Sequence, residues 1–200
     1  MTPSTLVLLH DPAFTPERWS EPAACLTGRG ERVVVPRITD ADRPPYAARY
    51  IARAALEIAA ADPEAPLLLV AEGAAGPLVP QVAAAQRAAH RPVAAYVLLD
   101  AWLPQPGSPT RAELVAAQLR ADDPAADPGP RRPPGFSTEP LPLVQDWPDA
   151  PCGYLLTDEH YASCARLAAL RDWPVVTATD AGDTDRAALA DALLDLVRRL

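Results

Sequence analysis

The stretch that decides the fold reads Leu67-Leu-Leu-Val-Ala-Glu-Gly-Ala-Ala-Gly-Pro77. Leu67 to Val70 is an apolar run bounded by small residues, the pattern of a buried strand. Gly73 and Gly76 then permit a tight turn, and Pro77 opens an alanine-rich segment that reaches Ala89. Proline suits the first turn of a helix, where its missing N–H has no partner to lose. Strand, glycine-rich turn and helix start therefore follow one another directly.

The same alternation extends in both directions. Leu6 to Leu9 and Arg32 to Pro36 read as strands, the second stopped by proline. Helical patterns follow at Pro16 to Gly28 and Tyr46 to Ala61. Val93 to Leu99 is a fourth strand, and Cys152 to Leu156 and Val175 to Ala178 are a fifth and sixth. Helices at Tyr161 to Leu170 and Asp185 to Leu200 follow those last two. Strands this apolar, separated by helices, predict a mostly parallel sheet covered on both faces, a doubly wound α/β sandwich. Periodicity leaves the strand order open. One domain over residues 1–200 is expected, with a proline-rich excursion at 105–150 in place of a cap, so a minimal lid. Its centre, Pro124 to Pro148, is too rich in proline for a regular helix or a central strand.

Composition narrows the function. The net charge is −8, there is no lysine, and no basic patch or basic helix stands out. Nucleic acid and anionic membranes are poor partners for such a surface. No signal peptide and no run of ~20 apolar residues is present, so a cytoplasmic location is expected. Cys25, Cys152 and Cys164 form no C-x-x-C pair and read as small core residues in a reducing compartment. The wealth of Ala, Arg and Pro suggests a GC-rich bacterial source. Oligomeric state is not legible.

In open α/β sheets ligands bind beyond the carboxyl ends of the strands. The residues there are His10-Asp11-Pro12, Glu72-Gly73-Ala74, Asp100-Ala101-Trp102, Thr157-Asp158-Glu159-His160 and Thr179 to Asp183. Taken with Leu6 to Asp11, Trp19 to Val35, Leu68 to Pro80, Val93 to Pro106 and Trp147 to Tyr161, this order and spacing resembles the α/β-hydrolase family over nearly the whole chain.

That resemblance implies a nucleophile elbow, G-x-S-x-G, at Ala71-Glu72-Gly73-Ala74-Ala75. The nucleophile position is Gly73, which has no oxygen with which to form an acyl-enzyme. The family's histidine belongs in the loop after the last strand. Thr177 to Asp185 contains no histidine, and Asp180, Asp183 and Asp185 read most simply as the start of the last helix. The acid position falls on Asp158. The oxyanion-type backbone donors fall on Ala74 and on the turn after the first strand, where Pro12 has no N–H and Ala13 stands in. A triad this depleted predicts no ordinary serine-esterase activity.

Three classes compete. The first is a non-hydrolytic enzyme using acid–base or shape-directed chemistry on a small hydrophobic metabolite. The second is a catalytically silent binding or partner protein, and the third a residual hydrolase with an atypical nucleophile. For the first, Glu72 at the pocket floor is the candidate acid or base, with Asp11 as a second carboxylate and Asp158 as the family acid. Glu72 as a cap on the following helix is the plainer role, as a solvated turn is for Asp11. His10 in the oxyanion turn, with Trp102 and Trp147 as an aromatic wall, would line the pocket, though turn stabilisation for His10 and lid packing for the tryptophans are the plainer roles. Asp158 with His160 lacks a third metal ligand. No metal and no cofactor is expected.

Overall fold

The computed structural model describes residues 4–39, 43–119, 133–179 and 185–200. Six strands form one sheet: β1 (Thr5–Leu9), β2 (Arg32–Val34), β3 (Leu67–Glu72), β4 (Val93–Leu99), β5 (Cys152–Leu156) and β6 (Val175–Thr177). All pairings are parallel, in the order β2-β1-β3-β4-β5-β6. The chain winds outward from β1 to β2, returns to the other side of β1 at β3, and then proceeds outward to β6. The reversal places a topological switch point between β1 and β3, where such sheets open a crevice at their carboxyl ends.

Helices cover both faces, as the apolar runs require. They are α1 (Ser20–Gly28), α2 (Tyr46–Ala61), α3 (Val79–Ala88), α4 (Arg111–Gln118), α5 (Ala162–Ala169) and α6 (Arg186–Val197). Alternate residues of one strand serve opposite layers. Leu67, Leu69 and Ala71 of β3 pack with Tyr50, Ile58 and Val82 of α2 and α3. Leu68 and Val70 pack with Leu26 of α1 and Leu193 of α6.

Several helices begin with a tight 3-10 turn, at Pro16–Trp19, Gly73–Leu78 and Glu159–Tyr161. The excursion between β4 and β5 contains α4, which its proline content concealed. Thr110 caps that helix in a reciprocal box with Glu113, and the Ser/Thr-x-x-Glu signature was present in the sequence. Residues 120–132, with Pro124, Pro128 and Pro130, lie outside the described residues, as do Asp180 and Asp183. Asp185 caps α6 through the N–H groups of Ala187 and Ala188. No helix among the described residues is long and apolar enough to cross a membrane.

Candidate functional site

The site lies at the switch point, where the ends of β1 and β3 meet. Gly73 stands at the turn from β3 into the 3-10 helix with φ +55, in the left-handed region that favours glycine. The turn is tightly enclosed. A Cβ on Gly76 would run into the carbonyl of Trp102, with the Ala101 Cβ 3.0 Å away.

Asp11 fills the space in front of Gly73. Its Oδ2 accepts the N–H of Ala74 at 2.7 Å and its Oδ1 the N–H of Ala13 at 2.6 Å. These are the two oxyanion-type donors read from the sequence, and both are engaged by one side chain of the same protein. Asp11 is only 4% exposed, so it is not a solvated turn residue. A Cβ on residue 73 would overlap this carboxylate, with Asp11 Cγ 3.0 Å away and Oδ2 nearer still. Glycine at 73 and aspartate at 11 are thus sterically matched.

The turn is fixed from behind. Tyr50 of α2 donates its hydroxyl to the His10 carbonyl at 2.6 Å. The His10 ring lies 2.9 Å from the Asp11 carbonyl through Nδ1, which must donate there. Nε2 then carries the lone pair, and it is buried without a partner among the described residues. Burial lowers the His10 pKa, consistent with a neutral ring that holds the turn.

Glu72, one residue earlier, points to the opposite side of the sheet. It lines a cavity of about 30 Å³ with Arg18, Trp19, Asp100, Thr157 and Arg186. Its carboxylate forms an ion pair with Arg18 Nε and lies 3.4 Å from the Asp11 N–H. It makes no cap bond to the following helix, so the capping role is set aside. Burial pushes its pKa up, and the Arg18 guanidinium opposes that. The Asp11 backbone N–H lies within reach of the Glu72 carboxylate, and the negative charge of Asp11 adds to the upward push on the Glu72 pKa.

Asp158 is exposed and caps the short helix that follows, accepting the N–H of His160 at 2.9 Å. Asp100 instead stands in the cavity. It has φ +42 and accepts the N–H groups of Thr157 at 2.8 Å and Asp158 at 3.2 Å, as well as the Thr157 hydroxyl. Burial pushes its pKa up to about 6. Asp100 was readable in principle, since it follows β4 directly as Asp11 and Glu72 close β1 and β3. Arg18 carried no such signal, because nothing local announces a pairing across 54 positions.

The aromatic wall is not formed. Trp147 packs between Tyr96, at 5.3 Å, and Trp173, at 5.6 Å, beside the amino-terminal ends of β5 and β6. An apolar ring gains most where other rings bury it, and that cluster lies at the other end of the sheet from the site. Trp102 is half-buried against the α2 and α3 layer, where its carbonyl closes on Gly76. Among the described residues no three His, Cys, Asp or Glu side chains cluster as metal ligands would.

The fold is that of the α/β-hydrolases. An extracellular α/β-hydrolase from Paenibacillus, described as sharing homology with tobacco salicylic acid binding protein 2, superposes with a TM-score of 0.68 at 14% identity over 97% of this chain and 99% of that one. Tomato methylketone synthase I, crystallised with 2-tridecanone, gives 0.62 at 15% identity over 100% and 99%. A methylesterase from Arabidopsis gives 0.62 at 17% identity over 98% and 100%. No protein-family model and no curated protein sequence matches the chain.

Proposed function

We propose that this chain is a non-hydrolytic α/β-hydrolase-fold protein whose vacated elbow is catalytically silent, and that it acts by binding rather than by acyl transfer. One observation carries the reading: the Asp11 carboxylate sits on the Ala13 and Ala74 N–H groups against Gly73. Acyl transfer needs a nucleophile and an empty pair of donors for the developing oxyanion. Residue 73 offers no nucleophile. Its donors already hold a negative charge, which would repel a second. Neighbours of this fold are named hydrolase, methylesterase and methylketone synthase, so the fold alone does not choose the chemistry. The proposed partner is a small molecule, in keeping with an acidic surface.

The test is reactivity. Purified protein should neither be labelled by a fluorophosphonate probe nor hydrolyse p-nitrophenyl esters above background. Robust labelling would overturn the reading and point to a residual hydrolase with another nucleophile.

A second reading, acid–base catalysis at Glu72, has an observation of its own in favour. Glu72 and Asp100 line one cavity, and burial raises both carboxyl pKa values. General acid–base groups work best when so tuned. Glu72→Gln keeps the shape and removes the titration. In a deletion strain complemented with this variant, loss of the native product with normal protein levels would establish the enzyme, and full output would exclude a Glu72 role.

A further inference from the structure

Helix α2 begins without a cap of its own. Its N-cap residue is Pro45, whose side chain accepts no hydrogen bond. The N–H groups of a helix's first turn have no partner within the helix. Here the acceptor comes from 92 positions away: Glu139 takes the Ala47 N–H on Oε2 at 2.9 Å. The positive end of the helix dipole favours a carboxylate at that place. A second hook lies beside it, where the Tyr46 hydroxyl donates to the Pro134 carbonyl at 2.8 Å.

The same segment serves α4. The Ser137 carbonyl accepts the Ala112 N–H, another first-turn donor, at 2.9 Å. The Phe136 carbonyl accepts from the Arg111 guanidinium at 3.0 Å, and that guanidinium stands 3.9 Å from the centre of the Phe136 ring. Arg111 is only 1% exposed, and Glu139 pairs with it at 3.6 Å. The Glu139 carboxylate thus contacts both helices. Residues 134–139 are a run of turns with no helix or strand of their own, held between the first turns of α2 and α4. A segment held by contacts of this kind opens at a lower free energy than the sheet. Its place matters as well. Tyr50, one turn along α2 from Tyr46, holds the His10 carbonyl, so the segment stands at the rim of the Asp11 turn.

We propose that residues 134–139 are a latched strap that caps α2 and α4 together and opens as one unit at the rim of the Asp11 turn, with Glu139 as its bolt. The strap is measured without ligand or turnover. Its failure would leave the elbow's silence untouched, and ester hydrolysis would leave the strap untouched.

The experiment is native-state hydrogen exchange of the full chain in urea concentrations below the unfolding transition. Ala47 and Ala112 report the two sides of the strap. Tyr96, whose N–H donates to the Pro151 carbonyl at 2.9 Å within the sheet, reports the whole fold. The expected result is one shared opening free energy for Ala47 and Ala112, with a shallow urea slope, against a steep slope for Tyr96, because the slope scales with the surface exposed. Glu139→Gln should speed both strap amides at least about tenfold, the loss of one charge-assisted bond. Tyr46→Phe alters only the α2 side and keeps the buried ring, yet it should also speed Ala112, by about fivefold. If Glu139→Gln fails to fold, Tyr46→Phe carries the test. Unequal opening free energies for Ala47 and Ala112, a slope for both equal to that of Tyr96, or an Ala112 amide unmoved by Tyr46→Phe would overturn the proposal. The segment would then be two separate caps or a fixed part of the core.

Discussion

The carboxylate of Asp11 stands where a side chain on Gly73 would have to begin. The two residues come from different strands, yet each sets what the other position tolerates. Gly73→Ala or Gly73→Ser places a Cβ at φ +55 and drives Asp11 off its two N–H donors. Left-handed strain and the lost bonds each amount to about 1–3 kcal/mol, so a loss of roughly 3 kcal/mol is expected. In an Asp11→Gly background the same change should cost less, with a coupling of about 1–2 kcal/mol. Urea midpoints of the four proteins measure this. Strict additivity would mean the two positions do not meet.

Asp11→Asn tests the donors themselves. Whichever way the new amide faces, its NH₂ opposes either the Ala13 or the Ala74 N–H. One buried donor is then unmet, at a cost of about 1–3 kcal/mol. Hydrogen exchange should show the Ala13 and Ala74 amides losing protection while the Tyr154 amide of β5, bonded to the Pro174 carbonyl, keeps its own.

Asp100 predicts a pH dependence of stability. Its folded pKa of about 6 exceeds the ordinary 3.8. Between those values the folded state holds the proton more firmly than the unfolded state, so stability falls as pH rises through the window. Above it the protein bears the whole cost of the buried charge, roughly 2–3 kcal/mol. Asp100→Asn should remove that slope and be neutral or stabilising at pH 8. Asparagine tolerates the positive φ, and its carbonyl accepts the same N–H groups. A variant with an unchanged slope between pH 4 and 6 would place the titration elsewhere.

Glu72 depends on Arg18. The guanidinium is the chief influence that opposes burial in setting the Glu72 pKa. Arg18→Met should move that pKa further up. Removing one partner of a buried pair is strongly destabilising. The Arg18 side chain is about a third exposed, so the expected loss is discounted to about 2 kcal/mol at pH 8. It should shrink as the pH is lowered, because burial raises the Glu72 pKa and protonation removes the charge that Arg18 pairs, and Glu72→Gln should restore much of it. A loss that does not change with pH would mean that the pair contributes through packing alone.

The sheet was legible in the sequence because each of its strands is an apolar run ended by a turn residue. β3, from Leu67, and β4, from Val93, start where the runs start. Strand order was not legible, since pairing is a tertiary property that no local period encodes. α4 was hidden by its proline-rich neighbours. At the site, the vacancy at Gly73 and the donors Ala13 and Ala74 were visible as residue types. The occupation of those donors by Asp11 was not, because 63 positions separate Asp11 from Ala74 and only the return of the chain from β2 to β3 joins them. Trp147 misled for the same reason: its partners Tyr96 and Trp173 are distant in sequence.

Alternation along β3 has a practical consequence for anyone wishing to build chemistry back into this scaffold. Adjacent residues 72 and 73 have different surroundings: Glu72 lines the cavity with residues of the α1 and α6 layer, and Gly73 backs onto the Asp11 carboxylate. A hydroxyl installed at 73 would find Asp11 as its neighbouring carboxylate, while the tuned carboxylates Glu72 and Asp100 line the cavity. Reinstating a nucleophile therefore means clearing Asp11 and importing a base on the same side. Elaborating the Glu72 side would create a separate reaction chamber that owes nothing to the elbow.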